Sequence, residues 1–147
     1  MLSIANGSIF DSSAECLVNP VNCFGVSGRG LALEFKKNFP DNYRAYRKAC
    51  LKNELKIGHV FIFKTSSKTI ANFPTKYHWR QNSNLIILKK GLISLRNKVI
   101  EHQIHSIAIP AVGCGLGQLN WNDVFPMIIE FAESVPNLEI FVYPPLK

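Results

Sequence analysis

The sequence predicts one α/β domain in which helices cover a layered sheet. Three observations lead there. Short apolar stretches of strand length alternate with stretches of helical periodicity through most of the 147 residues. Two glycine-rich loops each follow a strand and precede a helix. The balance of 47% hydrophobic and 18% charged residues belongs to a chain that packs a core, and its length suits a single domain over 1–147.

The elements follow in order. Residues 1–5 and Glu15 to Val21 read as short strands, the second ending at the turn-forming segment from Asn22 to Gly30. Leu31, Ala32, Phe35 and Phe39 recur at helical spacing until Pro40 stops that helix, and a second helix carries Tyr43, Tyr46 and Cys50 inward. His59 to Lys64 and Thr69 to Phe73 form a strand pair joined by Thr65-Ser66-Ser67-Lys68. From Asn84 to Ile100, Leu85, Leu88, Leu92, Leu95 and Val99 recur three and four apart opposite Lys89, Lys90, Arg96 and Lys98, which defines an amphipathic helix. Ser106 to Pro110 is a strand, and Asn120 or Asn122 caps a helix through Ala132 in which Pro126 suits only an early turn. Leu138 to Tyr143 is the last strand.

Composition excludes several classes. Apolar runs are broken before the roughly 20 residues that span a bilayer, and the N-terminus lacks a basic region leading into an apolar stretch, so neither a membrane span nor a signal peptide is expected. Cys16, Cys23, Cys50 and Cys114 form no Cys-x-x-Cys pair, and His59, His78, His102 and His105 add no ligand spacing. The expectation is reduced thiols in a cytoplasmic protein, with no metal and no cofactor. The net charge of +7 and a pI near 9.4 attract polyanions, with Lys and Arg concentrated in 36–56 and 76–98. Nucleic acid and plain solvated helix faces account for that charge equally well.

A strand, a glycine-rich loop and a helix together aim backbone N–H groups and a helix dipole at phosphate. The first such loop is Asn22-Cys23-Phe24-Gly25-Val26-Ser27-Gly28-Arg29-Gly30; the second is Val112-Gly113-Cys114-Gly115-Leu116-Gly117. Gly25 and Gly30 have Walker A spacing, but Leu31 and Ala32 stand where Lys and Ser or Thr are needed, which excludes phosphoryl transfer of that type. Gln118 replaces the third glycine of a dinucleotide fingerprint in the second loop. Tight turns alone explain either loop. Two of them after two strands suit a diphosphate gripped from both sides. A third constellation, Asn72-Phe73-Pro74-Thr75-Lys76-Tyr77-His78-Trp79-Arg80, lies at a strand exit. Lys76 is a nucleophile or an electrostatic stabiliser, Tyr77 and Trp79 offer flat faces for a base, and Arg80 offers a phosphate contact. A solvated turn with one buried Trp is the structural alternative.

These residues resemble a macrodomain, the ADP-ribose-binding fold, over nearly the whole chain. Val18-Asn19-Pro20-Val21-Asn22 followed by Gly28-Arg29-Gly30-Leu31-Ala32 matches its first substrate loop, and Ile109 to Gly117 matches its phosphate loop. The resemblance implies a three-layer α/β/α fold with a central mixed sheet. Within it, Asn72 to Lys76, His78-Trp79-Arg80 and Leu119-Asn120-Trp121 resemble the DarG branch, antitoxins that strip ADP-ribose from DNA bases modified by a DarT toxin. By that likeness Lys76 is the catalytic lysine and Asn22 a substrate-loop asparagine beside the distal ribose. Ser8, Ile9, Pro20, Val21, Asn22, Leu31, Ala32, Leu33, Glu34, Thr75, Gly113, Cys114, Gly115, Leu116 and Gly117 would line ADP-ribose, and His78, Trp79 and Arg80 are candidate DNA contacts. Two departures stand out. Asn6-Gly7-Ser8 offers a hydroxyl where many macrodomains hold adenine with Asp, and Gly117 stands where protein-directed lysine hydrolases carry Asp.

The resemblance therefore implies hydrolysis of the N-glycosidic bond between ADP-ribose and a DNA base. Its implied partners are ADP-ribose, ADP-ribosylated and single-stranded DNA, and a DarT-like toxin, with no membrane. A reader that binds ADP-ribose without cleaving it, and a hydrolase of ADP-ribose esters on protein, are the alternatives. DarG proteins carry a further domain, so 1–147 is either an excised macrodomain or a stand-alone enzyme.

Overall fold

The computed structural model describes residues 1–146; Lys147, the last residue of the expected 1–147 domain, lies outside the described residues. Strands β1 (Leu2–Ile4), β2 (Cys16–Asn22), β3 (Phe61–Lys64), β4 (Thr69–Lys76), β5 (Ser106–Pro110) and β6 (Glu139–Tyr143) form one sheet in the order β1-β6-β5-β2-β4-β3. All neighbours are parallel except the hairpin pair β3 and β4, so the sheet is mixed. Helices α1 (Gly30–Asn38), α2 (Pro40–Leu51), α3 (Leu85–Glu101) and α4 (Trp121–Ser134) cover its two faces.

Strand alternation decides which helix each face receives. Cys16 and Val18 of β2, Ala71 and Phe73 of β4, and Ile107 and Ile109 of β5 pack with Leu88, Leu92 and Leu95 of α3 and Val124 and Ile128 of α4. Their sequence neighbours Leu17, Ile70 and Ala108 face the other way, against Phe35 of α1 and Ile9 of a single 3-10 turn. Val21 meets Tyr46, Ala49 and Cys50 of α2 on that same side. Three layers result, and each fully buried Leu or Ile in them contributes on the order of 1.5–3 kcal/mol. Gly91 sets the distance of α3 from the sheet: a Cβ there would lie 2.3 Å from Phe73 Cζ.

Most expected elements are present, with differences at their ends. Strand β4 continues past Phe73 to Lys76, carrying Pro74 within the sheet. The ladder accommodates this through a bulge: Val21 pairs with Pro74 but Asn22 pairs with Lys76, and Thr75, the residue left over, donates its hydroxyl to the Val21 carbonyl at 3.2 Å. Pro40 opens α2 rather than only closing α1, which is the tolerated first-turn position for proline. Tyr46 and Cys50 are buried as expected, Tyr43 is half-buried, and Asn42 goes fully inward. The cap of α4 is Asn120, whose side chain accepts from the Asn122 N–H, and the helix runs through Pro126 to Ser134.

Asn42 is inward because it is paired. Asn72 on β4 donates to Asn42 Oδ1 at 2.8 Å and accepts from Asn42 Nδ2 and from Asn19 Nδ2, both at 3.1 Å. This buried amide cluster pins α2 to the two strands that end at Asn22 and Lys76. Polar groups at such depth hold their place only when hydrogen-bonded, so the cluster fixes one register for α2.

Candidate functional site

The central strands β5, β2 and β4 end side by side at Pro110, Asn22 and Lys76, and a cavity of about 1120 Å³ opens beyond them. That is where open α/β sheets place ligands, outside the carboxyl ends of the strands where connections diverge. Of the residues expected around a ligand, Pro20, Val21, Asn22, Leu31, Ala32, Thr75, Lys76, Trp79, Arg80 and Gly113 to Gly117 line it. Ser8, Ile9, Leu33, Glu34 and His78 do not. Ser8 caps the 3-10 turn through its hydroxyl, Ile9 is buried in the core, and Leu33 and Glu34 lie further along α1.

The cavity is built to receive an anion. Arg29, Lys76 and Arg80 line it, and among the described residues no Asp or Glu side chain does. Helix α1 begins there without a side-chain cap and without an acidic residue in its first turn, so its first N–H groups remain available at the positive end of the dipole. By contrast, α3 and α4 are capped by Asn84 and Asn120. On the opposite wall, the N–H groups of Gly115, Leu116 and Gly117 have no acceptor among the described residues. Gly117 is fixed by sterics: a Cβ on it would approach the Gly113 carbonyl oxygen to 2.6 Å, so this loop path admits no side chain where an Asp stands in protein-directed hydrolases.

The first loop owes its shape to Asn22. Its Oδ1 accepts from the N–H groups of Phe24, Gly25 and Val26 at 3.0, 3.1 and 3.3 Å, and from the Tyr46 hydroxyl at 3.0 Å, while its Nδ2 donates to the Val26 carbonyl at 2.7 Å. The Tyr46 hydroxyl also lies 2.8 Å from the Asn22 carbonyl. Asn22 thus borders the cavity while its amide is engaged in folding the loop. Burial drives the Tyr46 hydroxyl well above the usual tyrosine range, so it stays protonated as a donor.

Lys76 is only 8% exposed, and among the described residues no carboxylate pairs with it. Desolvation and then the Arg29 guanidinium lower its pKa from the ordinary lysine value. Both causes favour the neutral amine, the form that can attack carbon. His78 sits outside the cavity with Nδ1 accepting from the Arg80 N–H at 3.1 Å, which places a neutral ring's proton on Nε2. Cys114 is the thiol lining the cavity, and burial raises its pKa, leaving it a poor nucleophile.

Sequence reasoning missed Tyr46 as a partner of Asn22, Arg29 as the charge beside Lys76, and Asn82 and Gln118 as lining residues. Arg29 was legible in principle, since it immediately precedes α1. The hydroxyl of Tyr46 reaching Asn22 across 24 positions leaves no local signal.

Comparison with known proteins agrees with this geometry. The Macro domain family model matches residues 18–128. A DNA ADP-ribosyl glycohydrolase of Mycobacterium tuberculosis is 40% identical over 149 residues, covering 99% of this chain and 42% of that protein. The chain thus spans less than half the length of the curated relatives it matches most strongly. The solved macrodomain of Mycobacterium tuberculosis DarG superimposes with a TM-score of 0.98 at 40% identity, covering 99% of both chains. Thermosipho africanus DarTG in complex with ADP-ribose gives a TM-score of 0.93 at 34% identity, covering 99% of this chain and 42% of that one.

Proposed function

The chain belongs to the Macro domain family, and we propose that it is a hydrolase that removes ADP-ribose from ADP-ribosylated DNA bases. The observation that carries this reading is Lys76, buried at the floor of a cationic cavity without carboxylates, in a chain 40% identical to a DNA ADP-ribosyl glycohydrolase across nearly its whole length. In our reading the diphosphate lies between the first turn of α1 and the N–H groups of Gly115 to Gly117, with Pro20, Val21, Leu31, Ala32, Thr75, Gly113 and Cys114 around the rest of ADP-ribose.

The reaction replaces the bond between the anomeric carbon of the distal ribose and the base nitrogen with a bond to water oxygen; the base nitrogen takes the proton. Lys76 is the catalytic residue at the anomeric carbon, and Asn22 sets the loop that faces the ribose. A neutral amine beside Arg29 is suited to attack the anomeric carbon as its bond to the base nitrogen breaks, and water would then displace the Lys76 nitrogen from that carbon, giving free ADP-ribose and restoring the amine. Hydrolysis of ADP-ribose esters on protein is disfavoured because Gly117 leaves no room for a loop carboxylate.

The DNA would follow the basic surface at His78, Trp79 and Arg80. The ADP-ribose-bound DarTG structure supports a DarT-like toxin as the source of the lesion. No helix of the described residues is long and apolar enough to cross a membrane, and four free thiols suit a reducing compartment, so we assign the protein to the cytoplasm. The test is release of ADP-ribose from modified single-stranded DNA and, in parallel, from a protein carrying ADP-ribose esters. Release from DNA is expected; release from protein alone, or from neither despite binding of ADP-ribose, would overturn the assignment.

A further inference from the structure

Beside the cavity mouth, four flat groups form a continuous ladder that the hydrolysis itself does not require. The Phe24 ring lies 4.7 Å from the His78 ring at a tilt of 56°, His78 stacks on Trp79 at 5.2 Å and 28°, and the Arg80 guanidinium sits 4.5 Å over Trp79. Phe24 comes from the first loop and the others from the segment after β4, so the ladder bridges the two segments that flank Lys76. Trp79 and Arg80 line the cavity itself.

The backbone beneath the ladder is hydrogen-bonded, but the rings are left uncovered. The Phe24 N–H donates to Asn22 Oδ1, the His78 N–H donates to Gln81 Oε1 at 2.9 Å, and the Arg80 N–H donates to His78 Nδ1. Yet Phe24 is 60% exposed and Trp79 38% exposed. Exposed aromatic groups that touch one another, unlike singly scattered ones, mark an interaction site. The chemistry of that something is set by its surroundings: a planar group that stacks on rings and tolerates a guanidinium at its edge, attached to a backbone drawn by Arg29, Arg80 and the net positive charge.

We propose that this ladder is a stacking shelf for an unpaired nucleobase next to the modified one, with Phe24 as its outermost plane. The proposal rests on the DNA-directed reading above and deepens it: the substrate is a strand whose neighbouring base is free to leave its own stack. A base-paired neighbour keeps both faces covered within the duplex and has none to offer Phe24. Phe24 is therefore a specificity-determining residue for strand context, while the cavity recognises ADP-ribose.

The experiment compares kcat/KM for release from three DNA substrates, with an ADP-ribosylated peptide measured alongside: an ADP-ribosylated mononucleotide, a single-stranded trinucleotide modified at its centre, and the same trinucleotide with abasic neighbours. Wild type is expected to prefer the full trinucleotide over the other two by about 10-fold, within the range of one base stacked on one aromatic ring. Phe24→Ala should abolish that preference and Phe24→Trp should keep it. A preference that survives in Phe24→Ala, or equal losses on all three substrates, would overturn the shelf, the latter by making Phe24 a loop-positioning residue only. Preference for an ADP-ribosylated peptide over every DNA substrate, lost in Phe24→Ala, would assign the ladder to protein and likewise overturn it. If wild type releases ADP-ribose from no DNA, the hydrolase assignment fails, and the shelf is judged by fluorescence anisotropy of an unmodified labelled oligothymidine: weaker binding by Phe24→Ala supports it, and equal binding refutes it.

Discussion

The two loops that border the cavity are held in shape by different constructions. The loop of residues 22–30 is folded by a side chain: one amide, Asn22, gathers three N–H groups and a tyrosine hydroxyl around its oxygen. The loop of residues 111–118 is folded by the absence of side chains, with Gly117 against the Gly113 carbonyl and the Leu119 N–H donating to that same carbonyl at 2.8 Å. The difference teaches where each can fail. A loop organised by one buried amide depends on the helix behind it, whereas a loop organised by backbone contact depends on its own glycines and on the Ser83 N–H that donates to the Gly117 carbonyl at 3.1 Å.

Several substitutions test that contrast, from the largest effect down. Asn22→Ala should remove about 3 kcal/mol of stability by denaturant unfolding, since several partners lose their acceptor at once. Gly117→Asp should instead leave most of the global stability and weaken ADP-ribose binding by about 30-fold, the equivalent of about 2 kcal/mol of local strain, when titrated calorimetrically. If it gained ester hydrolysis on protein, the steric account of that loop would be wrong. Tyr46→Phe should cost about 1 kcal/mol and loosen only the first loop, detectable as faster amide exchange at 24–26 with no change at 115–117.

The smallest effect is a shift of pH dependence. Arg29 helps to hold the Lys76 pKa down, so Arg29→Gln should raise it and move the titration of the release rate to higher pH. A rising limb that moves assigns attack by the neutral amine, and a falling limb that moves assigns stabilisation by the ammonium. A profile that does not move would remove Arg29 from the account.

The same contrast explains what the sequence disclosed. Gly113, Gly115 and Gly117 are visible as letters, and the strand before them and Asn120 after them are local signals, so the second loop could be placed without a structure. Lys76 was visible for the motif around it. The job of Asn22 was not, because Tyr46 reads only as an inward position on a helix, and which polar atom its ring delivers is decided by the packing of α2 on the sheet. Asn19, Asn42 and Asn72 pose the same difficulty: Asn19 and Asn72 stand in motifs the sequence shows, but their pairing with each other and with Asn42 emerges only when three elements meet. The extension of β4 to Lys76 was hidden by Pro74, a residue that argues against a central strand and is accommodated here by a bulge.

The central claim is that the two loops bind and Lys76 reacts, as separable parts of one cavity. The direct measurement is a paired one on Lys76→Ala: ADP-ribose affinity by calorimetry, and release of ADP-ribose from modified single-stranded DNA. Affinity within about 3-fold of wild type with release reduced by at least about 100-fold is the predicted result. Release that persists, or affinity and release falling together, would contradict the division of labour between the loops and the lysine.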